Sequence, residues 1–259
     1  MTMATGPLAI ERLNDGAIWR VSIGGSTGNI LDGAVMQALA ELFHDAAAAA
    51  HLKAVCLEGQ GAHFSFGASV AEHVPPLAAA MLEAFHGALF AMLDSNVPVL
   101  AAVRGQCLGG GLELVSLCHH VIAAKDARLG QPEIMLGVFA PVASLVLADR
   151  VGRGAADDLC LSGRSITAEE ALAMRLVDQV VDGDPADVAI AWARTHLVPK
   201  SAISLRYAVR ASRADVRARL AAELPAIERL YLDGLMSTAD AIEGLTAFIE
   251  RRPPAWRDA

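Results

Sequence analysis

Val103-Arg104-Gly105-Gln106-Cys107-Leu108-Gly109-Gly110-Gly111-Leu112-Glu113-Leu114 is the stretch on which the reading of this chain turns. The apolar run Val97–Arg104 leading into it suits a strand buried on both faces. A glycine turn follows, and Leu112 begins or continues a helix to about Leu117. Glycine lets main-chain N–H groups approach a ligand closely, and the start of a helix favours negative charge. Glu113 lies three residues beyond Gly110, so the carboxylate and the Gly110 N–H fall on one side. A triple glycine also serves tight helix–sheet packing, with the glutamate only complementing the helix dipole, and the stretch alone leaves both readings open.

Downstream, Leu129-Gly130-Gln131-Pro132-Glu133-Ile134-Met135-Leu136-Gly137 sets a second glutamate just after proline among apolar residues. Burial there raises a carboxyl pKa and keeps the proton on near neutrality, as a general acid requires. Read alone, the segment is more simply a turn followed by an exposed helix-start acid, with a loop after Glu133. Upstream, His63-Phe64-Ser65-Phe66-Gly67-Ala68 places a glycine beside small residues, where a further N–H can meet a ligand. His63 and His73 flank this loop, and an exposed loop histidine is the simpler reading of His63. His119-His120 has no partner at ligand spacing, so a structural role is expected and no metal site. The chain has no P-loop and no G-x-G-x-x-G. Cys56, Cys107, Cys118 and Cys160 form no C-x-x-C pair and read as buried free thiols in a reducing compartment.

Around these segments the pattern is strand–helix alternation. Leu8–Leu13 and Ala17–Ile23 flank Asn14-Asp15-Gly16, a hairpin signal. Asp32 caps a helix to about Ala50, Lys53–Glu58 is a strand, and Leu77–Leu93 is a helix. Val121–Ala124 and Ala127–Leu129 are short strands, and Pro141 suits a first helical turn. From Gly154 nearly everything reads as helix, with Ala186–His196, Ser201–Ala211, Ala214–Leu232 and Thr238–Glu250, and Val177–Val181 as a loop or edge segment. The expected class is α/β, a core over 1–195 with an α-helical region over 196–259. No internal repeat is visible. Leu220, Leu224, Ile227, Leu230 and Leu235 give the tail an apolar face broad enough to meet another subunit as well as its own core.

The formal net charge of −8 disfavours nucleic-acid binding, which needs a cationic surface to displace counterions. Hydrophobic residues make up 54% of 259, enough for a sizeable core, yet no uninterrupted run reaches the ~20 residues of a membrane span. Met1–Ala9 lacks a basic segment followed by an apolar one, so no secretory signal and a cytoplasmic location are expected.

Taken together, the motifs resemble the enoyl-CoA hydratase/isomerase (crotonase) superfamily over essentially the full length. The resemblance rests on Gly67-Ala68, Gly109–Leu114, Gly130–Ile134 and Val151-Gly152-Arg153 in that order, with Asn29-Ile30-Leu31-Asp32 as the early loop. It implies a crotonase-like repeated ββα core with a C-terminal α-helical oligomerisation region, assembled as a homotrimer or hexamer. It implies an acyl-CoA substrate with no separate cofactor, CoA being part of the substrate. Carried over by motif, the Ala68 and Gly110 N–H groups form an oxyanion hole, Glu113 is a base that activates water, and Glu133 supplies the proton. Phe66, Gly67, Gly109, Phe139 and Pro141 fall at substrate-binding positions.

Two departures bear on the substrate. Ser69 stands where the family usually has an acid, and Val138-Phe139-Ala140-Pro141-Val142-Ala143-Ser144 replaces a glycine-rich turn. Bulkier Phe139, Pro141 and Val142 suit a compact or ring-shaped acyl group. These segments are similar to those of hydratases acting on cyclic dienoyl thioesters such as cyclohexa-1,5-diene-1-carbonyl-CoA. The alternatives are a general 2-enoyl-CoA hydratase, an isomerase or hydrolase on the same scaffold, and, more remotely, a non-catalytic RNA-binding relative.

Overall fold

The computed structural model describes residues 6–259, so Met1–Thr5, part of the segment read for a leader, lie outside the described residues. Strands β1 (Leu8–Leu13) and β2 (Ile18–Ile23) form the expected antiparallel hairpin. Its turn holds Asn14, Asp15 and Gly16 at φ of 52°, 54° and 82°, the left-handed region these residue types tolerate. Helix α1 (Gly33–Ala48) starts at Asp32, whose side chain accepts from the Val35 N–H. Strand β3 (Ala54–Gly59), helix α2 (Ala78–Asp94), strand β4 (Val99–Val103), strand β5 (Gln106–Leu108) and helix α3 (Gly110–Ser116) follow. Next come β6 (His120–Ala124), β7 (Arg128–Gly130), α4 (Pro141–Val151), α5 (Arg153–Ser162), β8 (Ser165–Thr167), α6 (Ala168–Ala173) and β9 (Gln179–Val181). Helices α7 (Pro185–His196), α8 (Ala202–Arg229) and α9 (Ala239–Ile249) complete the order.

The main sheet runs β1-β2-β3-β4-β6-β9, parallel in every pair after the hairpin. Both faces are covered, which is why β3 and β4 read as continuous apolar runs. Val55 and Leu57 turn toward α1 and α2, while Cys56, Leu100 and Ile122 meet Ala186, Ala189 and Ile190 of α7. A second sheet, β5-β7-β8, lies off the ends of the first. The chain passes from β4 to β5 at Gly105, where φ is +50° and a Cβ would sit 2.2 Å from the Ala62 carbonyl oxygen. Ser65 bridges to Cys107 beside β5, so β3–Ser65–α2, β4–β5–α3 and β6–β7–α4 are successive strand–strand–helix turns. The repeat invisible in the sequence is present in the fold, because backbone geometry recurs while side chains differ.

Three expectations need correction. The chain just after Glu133 is not yet a loop but part of a 3-10 turn, Pro132–Leu136, stopped by Gly137 at φ 71°. Ser165–Thr167 is a strand within the stretch read as helix, whereas Gln179–Val181 takes the edge position, one of its two readings. Ser201–Ala211 and Ala214–Leu232 are one helix, α8, that runs unbroken for 28 residues with Pro225 inside it. Tertiary contacts override the local signals there. Arg206 donates to the Ala46, Ala49 and Ser95 carbonyls at the ends of α1 and α2, and Leu220 and Leu224 enter the main core. After Arg229 the helix widens into a π turn, Leu230–Gly234.

Candidate active site

The loop carrying Ala68 and the turn carrying Gly110 are laced together by main-chain bonds. Ser65 N–H donates to the Gln106 carbonyl, and Leu108 N–H donates to the Ser65 carbonyl, both at 3.0 Å. The Ser65 hydroxyl donates to the Asn29 carbonyl and accepts from Gly67 N–H. The Gly67 carbonyl accepts from Leu31 N–H at 2.9 Å, and the Gly109 carbonyl accepts from Leu112 and Glu113 N–H. In a trans peptide the N–H points opposite to its C=O. Each of these anchored carbonyls therefore turns the following N–H, of Ala68 and of Gly110, away from its anchor. Among the described residues neither N–H donates to a protein group. Close approach requires glycine: a Cβ at Gly67 (φ +98°) would lie 3.4 Å from Gly110 N, and one at Gly110 3.3 Å from Ala68 N.

Glu113 is buried in the first turn of α3, and its Oε1 accepts from Ala143 N–H at 2.8 Å. That donor belongs to the start of α4, where Pro141 sits at the first position and no side chain caps the helix. Burial pushes the Glu113 pKa up, and the Ala143 and Val142 N–H groups pull it back only in part. Glu133 stands on the 3-10 turn with its Oε1 against the Gly109 Cα, where a Cβ would come within 2.3 Å. Burial raises its pKa, and the Glu113 charge raises it further. With its amide nitrogen facing the carboxylate, buried Gln131 donates to Glu133 Oε2 at 3.0 Å and to Oε1 at 3.3 Å.

One cavity of about 60 Å³ gathers every candidate residue. Phe66, Gly67 and Ala68 line it from one loop, and Gly109, Gly110 and Glu113 from the glycine turn. Glu133 lines it from the 3-10 turn, and Phe139 and Pro141 from the segment before and into α4. At Phe66, Ala68 and Pro132 the cavity meets an apolar groove of about 810 Å³ that runs out along Phe248 and Ile249 of α9. Such a site pairs two carboxyls of raised pKa with two free main-chain donors, the equipment for adding or removing a proton beside a developing oxyanion.

Other residues fall where the sequence did not point. His86 and Tyr231 line the same cavity, from α2 and the π turn, and nothing in their local pattern distinguishes them from core residues. His63 is not simply exposed: its Nδ1 accepts from Gln106 N–H and its ring packs edge-on against Phe66 at 4.9 Å. His73 donates from Nδ1 to the Ser69 carbonyl, holding the loop at the position where the acid is replaced. His119 accepts from Val99 N–H and His120 stacks on Trp192 at 4.5 Å, structural uses of both. Cys56, Cys107 and Cys118 are buried and Cys160 half-buried, all as free thiols.

The family profile described as Enoyl-CoA hydratase/isomerase matches residues 17–259. The chain is similar to cyclohexa-1,5-dienecarbonyl-CoA hydratase of Thauera aromatica, 46% identical over 258 residues and covering 100% of both chains. It is 33% identical to 2,3-dehydroadipyl-CoA hydratase of Escherichia coli (strain K12), across 88% of this chain and 90% of that one. Its fold is similar to that of an enoyl-CoA hydratase from Mycobacterium avium subsp. paratuberculosis K-10, with a TM-score of 0.82 and 27% identity over 98% of this chain and 99% of that one. No helix among the described residues is long and apolar enough to cross a membrane.

Proposed function

The chain belongs to the enoyl-CoA hydratase/isomerase family and is a hydratase-type enzyme acting on CoA thioesters, and on that premise we propose that it adds water to a cyclic dienoyl-CoA, cyclohexa-1,5-diene-1-carbonyl-CoA being the substrate tested first. One observation carries this reading. Two carboxyls with raised pKa values converge beside two unpartnered main-chain N–H groups in one compact cavity. The groove beyond Phe66 takes the pantetheine arm of the thioester, and the small cavity takes the acyl ring against Phe139 and Pro141.

In the proposed step the thioester oxygen sits between Ala68 N–H and Gly110 N–H, each contributing about 3 kcal/mol as negative charge develops on it. Ionised Glu113 draws a proton from water as the oxygen bonds to carbon. Glu133 delivers its proton to the acyl carbon skeleton, and the pair ends with the proton on Glu113 in place of Glu133. Atoms balance as one water added per double bond consumed. The reaction needs no group beyond the CoA of the substrate. Exposed Leu230, Phe248 and Ile249 on the C-terminal elements support a homotrimer or hexamer built through residues 196–259, and we place the enzyme in the cytoplasm.

The test is water addition by purified protein to cyclohexa-1,5-diene-1-carbonyl-CoA and to crotonyl-CoA, with Glu113→Gln and Glu133→Gln variants beside it. Rapid hydration of the cyclic diene, lost in both variants, is the expected result. Hydration of crotonyl-CoA alone keeps the hydratase and removes the ring. Activity untouched by both substitutions removes the two-glutamate step.

A further inference from the structure

The cavity that holds the two glutamates is more polar than an all-carbon acyl group requires. Tyr231 is 0% exposed and His86 4% exposed, and both line it. The Tyr231 hydroxyl and His86 Nε2 are each buried without a hydrogen-bond partner. A buried polar atom left unpaired costs about 1–3 kcal/mol, so a wall with two of them is expensive unless a ligand completes it.

The two orphans are not alike. His86 Nδ1 faces Glu228 Oε1 at 2.5 Å across the gap between α2 and α8. A carboxylate accepts from that nitrogen, which puts the ring proton on Nδ1 and leaves Nε2 as an acceptor. Burial lowers the His86 pKa more than Glu228 raises it, so the ring stays neutral and Nε2 keeps its lone pair. Tyr231 offers the complement, an O–H that donates. Its ring is fixed edge-on to Phe139 at 5.3 Å, and burial, with the charges of Glu133 and Glu113 adding to it, pushes its pKa up, so it keeps its proton. The π turn that presents it is a departure from helical geometry of the kind found at functional sites.

One donor and one acceptor facing a cavity match a group that both accepts and donates. A hydroxyl does so; a hydrocarbon does neither, and a ketone only accepts. We propose that Tyr231 and the His86–Glu228 pair form a hydroxyl-binding wall that receives the alcohol of the hydrated acyl group. Tyr231 donates to the alcohol oxygen, and His86 Nε2 accepts its proton in a hydrogen bond. The wall makes the enzyme hold the hydrated, hydroxyl-bearing ring more tightly than an unhydrated one, and it deepens the hydratase reading on which it rests.

The experiment measures binding of cyclohex-1-ene-1-carbonyl-CoA and its 6-hydroxy derivative by calorimetric titration, in a Glu113→Gln background that stops turnover. The expected result is tighter binding of the hydroxylated ring by about tenfold, the scale of one or two hydrogen bonds. Tyr231→Phe abolishes most of that preference while leaving affinity for the plain ring within about twofold. His86→Asn, which keeps the Nδ1 contact to Glu228 and removes Nε2, does the same. His86→Gln, which restores a polar atom near Nε2, recovers part of it. A preference that survives both Tyr231→Phe and His86→Asn overturns the wall, as does equal weakening of both ligands. Binding of both rings without any hydroxyl preference in the parent overturns the wall and leaves the ring reading standing. Binding of neither ring more tightly than CoA itself retires the ring reading along with it.

Discussion

Glu113 and Glu133 are the same residue type in one cavity, yet the chain around them differs at every level. Glu113 grows from a helix in which every residue is buried, and the Ala143 N–H of a second helix holds one of its oxygens. Glu133 sits on a 3-10 turn, half open to the cavity, with a side-chain amide as its close polar neighbour. Main-chain donors favour the ionised form of Glu113, whereas burial and the neighbouring negative charge favour the protonated form of Glu133. The difference teaches that two like carboxyls take on different proton affinities from their environments, so the proposed base and acid roles are each open to being broken separately.

Removing either carboxylate is expected to have the largest effect. Glu113→Gln and Glu133→Gln should each lower kcat by about 10²–10⁴-fold, with a much smaller change in KM. Steady-state kinetics on both variants check this, and a change confined to KM would contradict an acid–base role.

Gly109→Ala strikes first at the Glu133 side of the comparison, through a turn that also anchors Glu113 N–H. Its Cβ would sit 2.3 Å from Glu133 Oε1, at a φ of +50° that alanine disfavours. Activity should fall by about 10–100-fold, judged by what a misplacement of about 1 Å costs. Gly154→Ala, in α5 with open space around the added methyl, should leave activity unchanged.

The pH profile sharpens the contrast without mutation. Below the shared titration range Glu113 gains a proton and loses its base function, and above it Glu133 loses the proton it must deliver. The rate should be bell-shaped, with both limbs above the ordinary glutamate value of about 4.3 and belonging to the pair rather than to either residue. A single acid limb near 4, measured in kcat against pH, would refute the assignment.

The smallest effect is on stability. A carboxyl whose folded pKa is raised binds its proton more tightly in the native state, so stability falls as pH rises from the unfolded value through the folded one. Glu133→Gln removes that loss. Its melting temperature should match the parent at about pH 4 and exceed it by a few degrees above the folded pKa, in thermal unfolding across that range.

Much of the site was legible because it is written in short contiguous motifs. Gly67-Ala68, Gly109-Gly110 with Glu113, and Pro132-Glu133 each carry a turn and its reactive group within a few residues, and the structure gathers them in one cavity. What the motifs did not contain was harder to read. Strands β5, β7 and β8 are three residues each, too short for a period to show, and exist because neighbours supply their hydrogen bonds. The join of two expected helices into α8 rests on Arg206 and on the burial of Leu220 and Leu224, not on local propensity.

The order of motifs in the chain was enough to determine the family, the strand–helix alternation and the two glutamates, because each depends on local backbone chemistry. Tertiary structure alone decided which glutamate is held by main-chain donors, since Ala143 lies thirty residues from Glu113. It alone brought His86, Glu228 and Tyr231 together, because contacts between residues about 140 positions apart leave no periodic trace. Burial did the rest, raising both carboxyl pKa values by removing water that no sequence pattern places.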